Sequence, residues 1–186
     1  MLEIFENISD PDTNKLVLRE FIPILDEEFD RYVDWLRTFD NVKYIGRPEY
    51  FLSIDKMSIY EYVNNLAHSR TDSFFKVYEG AVFIGTFKVG HINWETRSAD
   101  MGIMIVDSSR KGKGLSIRIM KIGMKYAFNI LGLRKLTGGL LSGNVAMQKC
   151  FEKCGFKKAY VKKDTYFFEG SYIDAIVFEL YNENFG

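Results

Sequence analysis

Apolar and polar residues alternate over several short stretches of the chain, a pattern typical of strands with one buried face. Two of these stretches are separated only by Glu79-Gly80, which predicts a hairpin turn, and the last two lie around Glu169-Gly170. The pattern predicts strands over residues 15–20, 74–78, 81–89, 99–106, 135–141, 157–166 and 173–180. The chain is therefore expected to contain about six to seven strands.

Other stretches repeat their apolar residues at intervals of three to four positions, which predicts amphipathic helices. The first spans residues 26–39, and the second begins near Ser58, where Ser58 and Glu61 have the spacing of a capping box. The third helix begins after Gly114, and the fourth begins at Asn144.

The order of these elements predicts a mixed α+β fold, with a mostly antiparallel, twisted sheet of about six to seven strands flanked by helices. No linker, internal repeat or low-complexity stretch interrupts the pattern, so residues 1–186 are expected to form a single domain. Within this domain, the first two helices lie in residues 24–70, and most strands lie in a core of residues 74–180.

Acidic residues crowd the start of the first helix, where the positive end of the helix dipole stabilises them. They are Asp26, Glu27, Glu28 and Asp30. The sequence favours a solvated helix face with a stabilised N-terminus. The alternative is that these carboxylates attract a cationic substrate.

A loop rich in glycine and basic residues joins the strand of residues 99–106 to the third helix. Gly112 and Gly114 allow close approach to the backbone, and Arg110, Lys111 and Lys113 add positive charge. The unpaired N–H groups at a helix start favour an anion such as phosphate. The loop lacks the Gly-Lys-Ser/Thr ending of a Walker loop, and an ordinary solvated turn is the alternative for this segment alone.

A second motif follows about thirty residues later, with Asn144, Ala146 or Met147, and then Glu152-Lys153-Cys154-Gly155-Phe156. Together with Lys111-x-x-Gly114-x-Ser116, this order resembles the GNAT-type N-acetyltransferases, which transfer an acetyl group from acetyl-coenzyme A to an amine. The resemblance is clear from about residue 74 to residue 180 and indistinct before it. It implies a GNAT-like fold, with the first two helices forming one wall of the acceptor site.

The resemblance also implies where acetyl-coenzyme A binds. Ile105 and Val106 would bond the pantetheine arm along the strand edge, and a backbone N–H there would face the thioester carbonyl. Asn144 would contact the pantetheine side. The pyrophosphate would be held by Lys111, Gly112, Lys113, Gly114, Leu115 and Ser116.

The chain departs from the family at Phe151, where many members have a tyrosine that protonates the departing sulfur. A thiol with a pKa near ~8.5 can leave as a thiolate, so transfer can proceed without this acid. The alternatives are that Cys150, Tyr160 or Tyr166 replaces the acid, or that the domain binds coenzyme A without catalysis.

The resemblance makes three residues candidate bases, because they lie on or beside the strands that flank the cleft in GNAT-type folds: His91, Glu95 and Asp100. Histidine has the most suitable unperturbed pKa, about 6.5. Asp100 occupies a position that is often acidic in the family. His91 and Asp100 are therefore the predicted catalytic residues, and a polar role at a strand end is the alternative for each. His68, at a predicted helix end, fits a capping role.

The predicted acceptor is the amine of a nucleotide-linked amino sugar. The aromatic residues of 44–51 and Trp94 could stack on a sugar or nucleobase, and Arg47, Arg70 or Arg97 could contact phosphate. Residues 121–131 also resemble bacterial GNAT-type enzymes that acetylate nucleotide-linked amino sugars. A protein N-terminus, a polyamine and an antibiotic are the alternative acceptors, and the polyamine would require an acidic pocket.

Bulk composition limits the remaining function classes. The net charge is zero, which argues against a general nucleic-acid or anionic-membrane binder. No leader-like segment or apolar run of ~18 residues occurs, so a cytoplasmic protein is expected. The two cysteines, Cys150 and Cys154, lack nearby histidines and are predicted to be ordinary reduced thiols, with no metal site. A homodimer is one expected assembly state, and an interaction protein whose loop binds nothing is a further alternative.

Overall fold

A computed structural model describes residues 1–5, 15–45, 53–106, 114–168 and 170–185. Eight strands in the described part of the chain form one sheet in the order β1-β2-β3-β4-β5-β6-β8-β7. They are β1 Glu3–Phe5, β2 Leu16–Glu20, β3 Ser73–Glu79, β4 Val82–Asn93, β5 Ser98–Ile105, β6 Lys135–Leu141, β7 Lys157–Phe168 and β8 Ser171–Tyr181. The mixed, mostly antiparallel sheet is confirmed, but it has one strand more than predicted. The additional strand, β1, is only three residues long and too short to show alternation.

Five α-helices lie among the described residues: α1 Glu27–Leu36, α2 Phe39–Val42, α3 Lys56–Ala67, α4 Leu115–Lys125 and α5 Val145–Lys153. Helix α4 continues into one π-helical turn, Tyr126–Ile130. The prediction that α3 begins with a capping box at Ser58 is wrong. Asp55 is the N-cap, and its carboxylate accepts hydrogen bonds from the backbone N–H of Ser58 at 2.9 Å and from its hydroxyl at 2.6 Å.

The two faces of the sheet are covered by different helices. On one face, strand residues such as Phe87 and Met101 pack with Ile119 of α4 and Phe151 of α5. On the other, strand residues including Phe74 and Phe83 pack with the buried residues of α1, α2 and α3. We call these the α4/α5 face and the α1/α3 face. Because strand side chains alternate, a residue's position in its strand determines the face toward which it points.

Strands β5 and β6 are parallel neighbours that pair over only three residues each. Ser98 pairs with Lys135, and the ladder ends where Asp100 pairs with Thr137. Beyond these residues, β5 stays paired with β4 and β6 stays paired with β8. We call the space between residues 101–105 and residues 138–141 the β5/β6 gap. The gap leaves one edge of β5 open for an extended ligand.

Candidate active site

The open edge of β5 presents backbone groups of alternate residues to the gap. The N–H of Val106 donates to the carbonyl of Ile84 on β4 at 3.2 Å, so this N–H points away from the gap. Because backbone groups alternate along a strand, Ile105 and Ile103 direct theirs into the gap. The predicted edge residue Ile105 therefore lies in a suitable place, whereas the Val106 N–H is already used. Ile103, which the same two-residue period could have identified, was missed.

The start of α4 has the backbone conformation that the glycine-rich loop requires. Gly114 is the N-cap with a φ of 74°, in the left-handed region that favours glycine. The Leu115 side chain is buried in the core, so only its backbone could meet a phosphate. Ser116 follows in the first turn, where helix N–H groups lack intrahelical partners. The other predicted loop residues, Lys111, Gly112 and Lys113, lie outside the described residues.

Asn144 is the N-cap of α5. Its Oδ1 accepts a hydrogen bond from the backbone N–H of Met147 at 3.2 Å, which satisfies one donor of the first helical turn. The side-chain oxygen therefore has a structural role in the local fold. The Nδ2 group is the part of this side chain that could donate to a pantetheine arm.

Phe151 lies on the α4/α5 face beside the gap and is only 1% exposed. Its ring stacks on Phe178 with centroids 5.4 Å apart and contacts Phe156 at 5.0 Å. A Cβ on Gly138 of β6 would lie 2.2 Å from the ring, so glycine is needed for the ring to approach the strand. The position that carries a tyrosine in many relatives is thus occupied by a close-packed apolar ring.

The three candidate replacements for the missing general acid are either poor proton donors or placed away from Phe151. Contact with Cys154 and burial raise the pKa of the Cys150 thiol, which makes it a poor proton donor to a thiolate. Tyr160 pairs with Val177, which pairs with Gly139, so Tyr160 points to the α1/α3 face. Tyr166 pairs with Ile173, beyond the residues of β8 that pair with β6.

The two predicted catalytic residues are in direct contact. Nδ1 of His91 and Oδ1 of Asp100 are 2.8 Å apart, with the side chains 77% and 45% exposed. His91 has a φ of 49°, and its backbone N–H donates to Asp72 at 3.3 Å. Asp100 is the last β5 residue paired with β6, so this pair lies where the gap opens. An imidazole oriented by a carboxylate can accept a proton from an amine.

Asp72 supports this pair from the loop before β3. Its carboxylate accepts from Lys88 of β4 at 2.8 Å and from the hydroxyl of Ser69 at 2.8 Å. Burial raises the pKa of Asp72, but the hydrogen bonds from Lys88, Ser69 and the His91 N–H outweigh burial and lower it to about 2. Asp72 is therefore a charged anchor for the β4 segment that carries His91.

The acidic start of α1 is only partly a solvated face. Asp26 is the N-cap of the helix and accepts from the Phe29 N–H at 2.8 Å. The prediction is wrong for Glu28, which accepts from Lys76 at 2.7 Å and from the Tyr78 hydroxyl at 2.6 Å. Burial raises the pKa of Glu28, but these two hydrogen bonds lower it further than burial raises it.

Three of the residues predicted to bind a nucleotide lie in the turn between β4 and β5, which contains Trp94 and Arg97, and in the segment before β3, which contains Arg70. Trp94 donates from Nε1 to the carbonyl of Arg70 at 3.0 Å, and the Arg97 carbonyl accepts from the backbone at the start of β6. Glu95, the third candidate base, lies in the turn after β4, where its N–H donates to Asn93 at 3.0 Å. Arg47, Tyr50 and Phe51 lie outside the described residues.

A sheet that opens between parallel strands, beside a helix that begins at a left-handed glycine, forms a site where an extended thioester arm can join a strand edge while an anion meets the helix start. This is the architecture of an acyltransferase. The chain belongs to the GNAT acetyltransferase family, whose domain, described as an acetyltransferase (GNAT) domain, matches residues 15–157. It is an N-acetyltransferase that uses acetyl-coenzyme A as acetyl donor, which confirms the predicted family, enzyme class and co-substrate.

Solved structures with the same fold include spermidine N-acetyltransferase from Vibrio cholerae in complex with CoA and spermine. That structure has a TM-score of 0.81 and 21% identity, and the match covers 91% of this chain and 97% of that one. A chimera of the Vibrio cholerae enzyme SpeG and hSSAT has a TM-score of 0.78 and 22% identity, with coverage of 89% and 95%. No curated protein matches the sequence.

No helix in the described part of the chain is long and apolar enough to cross a membrane. No group of three or more His, Cys, Asp or Glu side chains in residues 1–5, 15–45, 53–106, 114–168 and 170–185 has an arrangement that could hold a metal ion.

Proposed function

We propose that this enzyme acetylates a primary amine of a polyamine-class cation, with His91 and Asp100 preparing the amine for attack. The observation that carries this proposal is the His91–Asp100 pair at 2.8 Å, at the point where the β5/β6 gap opens. An exposed carboxylate attracts a cationic acceptor and can take up its proton through the imidazole.

The similar structures support the polyamine alternative better than the amino-sugar nucleotide. Several are spermidine N-acetyltransferases, and one of them was solved with CoA and spermine. The nucleotide hypothesis depended on aromatic and arginine side chains near the acceptor. Trp94 Nε1 donates to the backbone carbonyl of Arg70, and Arg47 lies outside the described residues.

The donor would lie along the open edge of β5. Ile103 and Ile105 would bond the pantetheine arm, and a backbone N–H on this edge would stabilise the oxyanion that forms when the amine attacks the thioester. Gly114 to Ser116, together with Lys111, Gly112 and Lys113, would hold the pyrophosphate. The Asn144 amide would donate to the arm from the opposite side.

The acceptor would approach from the α1/α3 face, which makes α1, α2 and α3 its wall, as expected for residues 24–70. The side chain of Asp100 points to this face because its neighbours Ala99 and Met101 point into the α4/α5 core. The CoA sulfur would leave on the α4/α5 face as a thiolate, because Phe151 has no proton to donate. A homodimer remains a prediction, and one similar structure is dodecameric.

The test is release of CoA thiol from acetyl-coenzyme A with three acceptor panels: spermidine and spermine, nucleotide-linked amino sugars, and peptides with free N-termini. We expect turnover with the polyamines and little with the other two panels. A response confined to amino-sugar nucleotides or peptides would overturn the acceptor assignment.

Phe151 cannot act as a general acid, and loss of a general acid typically costs ~10²–10⁴-fold in rate, so we expect slow acetyl transfer. Tight acetyl-coenzyme A binding, measured by calorimetry, with no thiol release in any panel would overturn the proposed acceptor and the proposed roles of His91 and Asp100.

A further inference from the structure

Two glycines stand opposite each other across the β5/β6 gap. The parallel register pairs Asp100 with Thr137, and two residues further along each strand lie Gly102 and Gly139. Because parallel strands advance by the same distance per residue, these glycines are level with each other just beyond the end of the ladder. They occupy the first positions after Asp100 and Thr137 that point to the same face.

Both glycines point to the α1/α3 face. Met101 and Ile103 pack on the α4/α5 side, so Gly102 between them points the opposite way. A Cβ on Gly138 would meet the Phe151 ring on the α4/α5 side, so Gly139 also points the opposite way. The pair therefore opens toward the helices that form the proposed acceptor wall.

Neither position needs glycine for its backbone or its packing. Six of the twelve described glycines have a positive φ, and four others would place a Cβ within 3 Å of neighbouring atoms. Only Gly102 and Gly139 among the described glycines have neither a positive φ nor any atom within 4 Å of an added Cβ. Glycine weakens a strand, so a structural account would favour a larger residue at both positions.

We propose that Gly102 and Gly139 form the opening through which the acceptor amine reaches the acetyl group, and that their lack of side chains determines which acceptors fit. This inference rests on the proposed function for the direction of approach. The opening lies two residues beyond Asp100 along β5, so an amine that enters it passes the His91–Asp100 pair. A slender primary amine on a flexible chain suits an opening bounded by two backbones.

Graded substitutions test the opening. Gly102→Ala, Gly102→Val, Gly139→Ala and Gly139→Val should lower kcat/KM for the acceptor progressively, with the valine variants at least ~10-fold below the parent. The dissociation constant for acetyl-coenzyme A should change less than ~2-fold, because the added groups point away from the cofactor edge. The melting temperature should stay equal or rise, because valine favours a strand and because either replacement of glycine lowers the conformational entropy of the unfolded chain.

The matched control is Gly132→Ala. Gly132 also has no atom within 4 Å of an added Cβ, but its φ is 63°, so alanine is strained there. This variant should melt at a lower temperature and keep its acceptor KM. Unchanged acceptor kcat/KM in both valine variants would overturn the proposal.

A thiol introduced at the opening tests, without any acceptor, whether the opening leads to the thioester carbonyl. In Gly102→Cys, the introduced thiolate should attack the thioester carbonyl, forming a new S-acetyl bond, breaking the bond to CoA and releasing CoA as a thiolate that takes its proton from water. Mass spectrometry should find one acetyl group on the introduced cysteine. Val82→Cys, at an exposed position on β4, is the control and should stay unmodified; the native cysteines are buried.

The two tests separate this inference from the acceptor assignment. Acetylation of the introduced thiol in an enzyme that acetylates no polyamine would overturn the polyamine proposal and support the opening. An introduced thiol that reacts no faster than the Val82→Cys control would overturn the opening, even if polyamines are substrates.

Discussion

His91 and Asp100 are nine positions apart in the chain, yet their side chains are 2.8 Å apart. Both were predicted as separate candidate bases on the strength of residue type and position. The structure brings them together because β4 and β5 pair in an antiparallel ladder that places Gly90 opposite Asp100. The two candidates therefore form a unit in which the carboxylate orients the imidazole.

We predict that His91→Gln and Asp100→Asn each lower kcat by about 10²-fold, because each removes one member of the proton-accepting pair. The dissociation constant for acetyl-coenzyme A should change little, since both side chains lie on the α1/α3 side. Thiol-release kinetics and calorimetric titration measure the two quantities. Glu95→Gln and His68→Gln are the controls and should keep parental kcat. An Asp100→Asn enzyme with parental kcat would remove Asp100 from the mechanism.

Glu28 and Lys76 differ in exposure, at 33% and 8% for the side chains, and this difference predicts unequal mutational costs. Glu28→Gln leaves the buried Lys76 ammonium without its carboxylate and should lower the free energy of unfolding by about 2 kcal/mol. Lys76→Met should lower the free energy of unfolding by less, because Glu28 can turn toward water and methionine keeps the packing of the lysine's aliphatic chain. Urea denaturation measures both, and a larger cost for Lys76→Met would contradict the argument.

At the scale of elements, the alternation and helical periods identified most strands and helices. The β6 bounds agree with residues 135–141, and α1 begins at Glu27, one residue after the predicted start of the helix. The predicted end of β4 is too early, because pairing continues past the irregularity between Gly90 and Asn93. The alternation of apolar and polar residues is interrupted at this irregularity, although the hydrogen-bonded ladder resumes beyond it.

The start of α4 gives a test of phosphate binding at this scale. Gly114→Glu should weaken acetyl-coenzyme A binding at least ~10-fold, because a carboxylate at the helix start repels phosphate. The φ of 74° means that any side chain adds strain, so Gly114→Asn is the control, since asparagine tolerates this conformation best. Calorimetric titration measures both affinities. Equal affinity in the two variants would show that phosphate binds elsewhere.

For the whole molecule, Asp72 links the segment after α3 to β4 through contacts with Ser69, Lys88 and the His91 backbone. Its pKa is about 2, lower than the ordinary 3.8. A lowered pKa means that this carboxylate stabilises the folded state above about pH 4, and that the stabilisation is lost as the pH falls toward 2. The corresponding free energy is about 2 kcal/mol.

We predict that Asp72→Asn flattens the fall in unfolding free energy between about pH 4 and about pH 2 and lowers stability at neutral pH. Chemical denaturation across this pH range measures the effect. Glu61→Gln, at an exposed position on α3, is the control and should keep the parental acid dependence. If the unfolding free energy of Asp72→Asn falls with pH as steeply as that of the parent, other groups cause the loss of stability in acid.

The sequence by itself determined the fold class, the family, the acetyl donor and the helix that begins at Gly114, because these depend on local periodicity and on two short motifs in order. Only the tertiary structure decided that His91 contacts Asp100, that Glu28 pairs with Lys76, and that Gly102 faces Gly139. Each of these arrangements depends on strand order and register, which bring residues from different elements together. A local pattern gives a residue its strand and its face, but the partner across the sheet is determined by how all the strands pair together.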